Sequence, residues 1–140
     1  MENLELYAET KKYIERFYEP ELSAYDFLKV FFAELYLNGI KDVSRDLVDF
    51  FYEMKKQVRF NEILREIKFK SNGVFLYSND LEDNIFTLQN MGLLGKENPS
   101  FGKILIKYSD SVCSEIIESV SEKYVALIKE IVNVFMQSQD

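Results

Sequence analysis

The stretch Ser23 to Gly39 constrains the fold more than any other part of the chain. Ala24, Phe27, Leu28, Phe31 and Leu35 recur at helical spacing, and Tyr25, Phe32 and Tyr36 form a second apolar row beside them. A helix apolar over most of its circumference has to be surrounded by protein. Ser23 supplies an N-cap and Asn38-Gly39 a C-terminal stop, so the sequence predicts a central helix with sharp ends. Everything else must supply its covering.

The covering predicted from the remaining sequence is mainly helical. A helix over Leu4 to Tyr18 shows Leu6, Tyr13, Ile14 and Phe17 on one side and ends at Pro20. A third helix starts at Ser44 and runs through Leu47, Phe50, Phe51 and Met54. A fourth, capped by Asn61, covers Glu62 to Lys68. Lys70 to Gly73 reads as a turn and Val74 to Tyr77 as a short strand. Asn79 with Glu82 resembles a capping box that starts a fifth helix, which Gly92 ends. Leu93-Leu94 is expected to pack beneath the turn at Gly92, Asn98 to Gly102 carries turn chemistry, and Ile104 to Tyr108 is the best strand. The last and longest helix is expected over Asp110 to Gln137. The expected fold class is thus mainly α, with about six helices, a small β-hairpin and a long C-terminal helix, in one domain over 1 to 140.

That C-terminal helix carries a heptad-like seam of Cys113, Ile117, Val120, Tyr124, Leu127, Ile131 and Val134. A second row, Val112, Ile116, Ile128, Val132 and Phe135, widens the apolar face. The width favours packing within the chain. Ile117, Val120, Tyr124, Leu127, Ile131 and Val134 also form a candidate self-association face, which would make a homodimer.

Charge narrows the function classes. The formal net charge of −7 opposes general attraction to phosphate backbones and anionic membranes. One segment runs against it: residues 55 to 70 hold 6 cations and 2 carboxylates. Lys55, Lys56, Arg59, Arg65, Lys68 and Lys70 are therefore the candidate contacts for an anionic partner, with pairing to the acidic flanks as the alternative use. By contrast, Asp80, Glu82 and Asp83 open a helix that has no Lys or Arg, and they form a candidate docking surface for a basic protein.

Chemical residues are scarce. The chain has no histidine and a single cysteine, Cys113, which excludes thiolate-imidazole zinc clusters, Ser-His and Cys-His nucleophilic systems, and an internal disulfide. Cys113 belongs to the apolar seam and reads as an inert buried thiol. Carboxylate pairs such as Asp49 with Glu53 have the spacing of a solvated helix face. Asp80, Glu82 and Asp83 lack the surrounding oxygen ligands of a calcium loop, and no phosphate-binding glycine motif occurs. The expectation is a protein that is not an enzyme, with no metal and no cofactor. The opening residues show no basic and apolar leader pattern, and Tyr25 to Leu37 is too short for a bilayer span, so a cytoplasmic location is expected.

One resemblance joins these pieces. Leu81, Ile85, Leu88 and Met91-Gly92-Leu93-Leu94, followed by a turn and Ile104-Leu105-Ile106, resemble the helix, glycine exit and wing of the winged-helix superfamily over about residues 22 to 110. The resemblance implies a helix-and-wing fold and a nucleic-acid reader. The acidic helix lacks the cations that phosphate neutralisation requires. The leading expectation is therefore a protein-interaction module, a component or regulator of a larger prokaryotic or phage assembly. The alternatives are a winged-helix DNA-binding regulator that uses the basic segment with Lys96, Lys103 and Lys107, and an acidic phage-type inhibitor of a nucleic-acid-handling enzyme.

Overall fold

The computed structural model describes residues 22–96 and 103–138. The predicted helix at Leu4 to Tyr18 and the turn at Asn98 to Gly102 lie outside these residues. Among the described residues there are six helices and two small antiparallel sheets. The mainly α expectation with its small hairpin holds.

Helix α1 spans Ala24–Leu37 and is the centre of the molecule. The Ser23 side chain accepts from the Asp26 N–H at its start. After Asn38 the chain turns out through Gly39 at φ 84°, a conformation that favours a residue without Cβ. Strand β1, Asp42–Val43, leads to α2, Leu47–Lys55. The N-cap of α2 is Asp46, whose Oδ1 accepts from the Val48 N–H at 2.9 Å, so the helix starts later than the expected Ser44.

The expected fourth helix is displaced. Helix α3 is a single short turn at Val58–Asn61, and it ends where Glu62 to Lys68 was expected to begin. Asn61 is itself the last residue of α3, not a cap before a new helix, and its amide donates to the Lys55 carbonyl at 3.1 Å. Strands β2, Lys70–Ser71, and β3, Leu76–Tyr77, then pair with each other, with Lys70 opposite Tyr77. Their turn is held by Asn72 Oδ1, which accepts from the N–H groups of Val74 and Phe75. The strand expected over Val74 to Tyr77 is thus shorter, because its first two residues belong to a turn.

Helix α4, Asn79–Asn90, is capped by Ser78, whose Oγ accepts from the Leu81 N–H at 3.3 Å. This moves the cap one residue before the expected Asn79. Gly92, at φ 80°, ends the exit turn and releases β4, Leu94–Lys96. Leu94 is buried, as its expected position beneath the turn requires. Strand β5, Ile104–Ile106, lies between β1 and β4 and pairs antiparallel with both, Asp42 against Leu105 and Leu94 against Ile106.

The expected long C-terminal helix is two helices, α5 at Asp110–Glu118 and α6 at Glu122–Gln137. The break lies at Ser119 to Ser121. Ser119 Oγ donates back to the Ile116 carbonyl at 2.6 Å, and Ser121 takes the extended backbone of an N-cap at φ −60° and ψ 146°. Both helices pack on α1, as does α4. Phe31 of α1 meets Phe51 at 4.9 Å and Phe135 at 5.7 Å between ring centroids, both edge to face, so α1, α2 and α6 share one aromatic centre. Two residues before Phe31 on α1, the Lys29 carbonyl accepts from the Tyr108 hydroxyl at 3.0 Å.

Candidate functional site

The basic segment is occupied mainly with the protein's own groups. Lys55 bends inward, donating from Nζ to the Ile67 carbonyl at 2.7 Å and lying over the Phe69 ring. Loss of water around it pulls its pKa down, which the Asp80 charge partly opposes. Lys56 pairs with Glu53 at 3.1 Å, and Arg59 pairs with Glu130 of α6. Arg65 also has an interaction partner. Lys68 and Lys70 are exposed, on the loop before β2 and on β2 itself. Of the six cations, Lys56 and Arg59 are thus paired with carboxylates of the protein itself, which weakens the concentrated field that sequence spacing suggested.

The acidic start of α4 divides in a different way. Asp80 is half-buried and accepts the Lys68 backbone N–H at 2.9 Å, which fastens the loop after α3 to α4. Glu82 and Asp83 are exposed. Among the described residues neither side chain has a hydrogen-bond or ion-pair partner. Leu81, Ile85 and Leu88 form the buried stripe, so the opposite face carries Glu82, Asp83, Phe86, Thr87 and Asn90. Phe86 stands in the middle of that polar face with 61% of its surface exposed. Val74 and Phe75, at the turn of the β2-β3 hairpin, are exposed apolar residues as well.

These three apolar residues were not among the sequence-derived site residues. Phe86 had a legible signal: it falls off the 81, 85, 88 stripe and between carboxylates and polar residues. Val74 and Phe75 had none, because the expected strand assigned them an ordinary place in a sheet.

The self-association seam is not one line in three dimensions. Ile131 is fully buried in the core, so it is unavailable to a partner. Ile117, Val120, Tyr124 and Leu127 are half-buried against the protein's own core, and Val134 is exposed. The break at Ser119 to Ser121 rotates the deepest face of α6 onto Val125, Ile128, Ile131, Val132 and Phe135. The second row thus packs more deeply than the seam.

Cavities indent the surface of the described residues at two places of interest. One of about 270 Å³ lies between the starts of α2 and α4 and the β4-β5 pair, with Arg45, Asp46, Glu82 and Lys96 at its edge. Its charges are of both signs, so they favour neither a purely anionic nor a purely cationic ligand. The other, about 460 Å³, lies at the α5-α6 junction. Cys113 is buried with its Sγ directed at the Ala33 carbonyl at 3.7 Å, and burial raises its pKa, which suits a packed thiol and opposes a thiolate nucleophile. Glu34, on α1, is the unexpected group: only 5% exposed, with Oε1 lacking a hydrogen-bond partner. Burial raises its pKa and the Lys129 charge partly counters this. Among the described residues no three His, Cys, Asp or Glu side chains gather as metal ligands, and no helix is long and apolar enough to cross a membrane.

No family model, curated protein or solved structure matches this chain.

Proposed function

We propose that the protein is a non-enzymatic interaction module that docks a basic protein partner on the outer face of α4. The observation that carries this reading is the exposed Phe86 beside the unpaired carboxylates of Glu82 and Asp83. An exposed aromatic can act as an anchor in a partner's pocket, while surrounding carboxylates select a cationic rim and speed encounter. Val74 and Phe75, at the turn of the hairpin that precedes α4 in the chain, are further exposed apolar residues.

A winged-helix arrangement fits the same reading. Its support is the order α1, β1, α2, α4, β4, β5, with β5 between β1 and β4. On this reading α3 and the β2-β3 hairpin are an insertion before α4, and α4 stands at the recognition position. Its acidic outer face then favours a cationic protein over phosphate. The module would act as a component or regulator of a larger assembly.

Affinity capture with chemical cross-linking from the native host tests the proposal. Wild-type protein is expected to retain a basic partner at low salt and to lose it on Glu82→Lys/Asp83→Lys and on Phe86→Ala. Retention of the same partner by all three proteins would sink the reading. A mobility shift with DNA that fell on neutralising Lys68 and Lys70 would favour the nucleic-acid alternative instead.

A further inference from the structure

The exposed side of α6 carries a charge pattern that is complementary to itself. Glu122, Ala126, Lys129 and Asn133 are exposed and follow one another at helical spacing, forming one stripe. Beside it, Ile117, Val120 and Val125 line the apolar cleft of about 460 Å³, whose charged rim is Glu118, Glu122 and Lys129. Among the described residues none of these three charges forms an ion pair. Lys129 acts on the buried Glu34 only through space.

We infer that this face is an interface between two copies of the chain, with their α6 helices antiparallel about a two-fold axis between Val125 and Ala126. Glu122 and Lys129 are equally far from that point, about 5 Å on either side along the helix at ~1.5 Å per residue. A two-fold axis therefore sets Glu122 of one copy against Lys129 of the other, and does so twice. A parallel pairing would oppose Glu122 to Glu122 and Lys129 to Lys129, which is repulsive. Ala126 at the crossing has no long side chain, so the two backbones can approach closely. Each cleft would then be closed by the opposite copy, removing Ile117 and Val120 from water.

Charge symmetry selects a second copy over another partner. A one-sided docking surface has no need of opposite charges at equal distances from a small residue, whereas an isologous contact requires a surface that matches itself. The face shares Ile117 and Val120 with the seam expected from the heptad spacing but is otherwise different. It lies on the outer side of α6, and it leaves Ile131 in the core. It is also independent of the α4 surface, so either can fail without the other.

Sedimentation equilibrium on the full chain from about 1 µM to about 1 mM provides the test. The wild type is expected to dimerise within that range. Glu122→Lys and Lys129→Glu should each weaken the dimer about tenfold or more, and their combination should restore it to within about threefold. Ala126→Arg should leave a monomer with an unchanged circular dichroism spectrum. Because Lys129→Glu also sets a carboxylate near Glu34, Glu122→Lys and Ala126→Arg decide the matter if that variant fails to fold. A wild type that stays monomeric, a dimer indifferent to Glu122→Lys and Ala126→Arg, or a folded double reversal that fails to restore it would overturn the inference.

Discussion

Helices α1 and α4 are of similar length and are committed in opposite ways. Of the fourteen residues in α1, nine are buried, including the carboxylate-bearing Glu34. Of the twelve in α4, only Leu81, Ile85 and Leu88 are buried. The fold uses α1 all round and α4 along a single stripe. Stability therefore constrains nearly every residue of α1, whereas Glu82, Asp83 and Phe86 of α4 contribute little to packing. An aromatic side chain that the core does not need is the better clue to function.

The largest test of this contrast is a cavity in α1. Phe31 is fully buried and contacts the rings of Phe27, Phe32, Phe51 and Phe135. Phe31→Ala removes the element that joins three helices, so denaturant unfolding should report a loss of about 3–5 kcal/mol. A loss below about 1 kcal/mol would mean that the aromatic centre collapses around the change and that α1 is less tightly constrained than its burial implies.

Glu34 sharpens the comparison from within α1. Its pKa is raised in the folded protein, chiefly by burial and against the pull of Lys129, so the folded state holds the proton to higher pH than the unfolded state does. Its contribution is favourable while both states are protonated, below the ordinary value of 4.5. As pH rises from there through the folded pKa, stability falls, and above it the cost of a buried charge is constant. Glu34→Gln should remove that slope and make the protein more stable than wild type at neutral pH. Urea unfolding from about pH 4 to about pH 8 measures both effects. Equal slopes in wild type and variant would show that another group governs the acid dependence.

What could be read from sequence followed the range of the forces involved. The limits of α1 were legible because Ser23 and Asn38-Gly39 act on their immediate neighbours. Strand β5 was legible from the β-branched Ile104 and Ile106 on either side of Leu105. The break between α5 and α6 was not, since Ile117, Val120, Tyr124 and Leu127 keep helical spacing across it while the chain turns at serines. The 58 to 68 region was not legible because Asn61, a cap by residue type, lies inside α3 and turns back to the Lys55 carbonyl. For the surfaces, the acidic character of α4 was visible, but the inward turn of Asp80 depends on the Lys68 backbone twelve residues away. The burial of Glu34 was equally hidden, because it depends on what α5 and α6 lay over α1.

The smallest stability effect is the most informative about α4. Phe86→Ala deletes a ring that is 61% exposed, so little apolar contact is lost and unfolding should shift by no more than about 0.5 kcal/mol. Ala also has a higher helix propensity than Phe, which offsets part of that loss. If Phe86 served the fold, the same substitution would cost several times more and would rank α4 with α1. The decisive outcome is thus a separation of two readouts: Phe31→Ala lowers stability far more than Phe86→Ala, whereas Phe86→Ala abolishes partner capture with the fold intact. Loss of capture only in proportion to loss of stability would make the exposed ring incidental and return the search for a docking surface to the hairpin residues Val74 and Phe75.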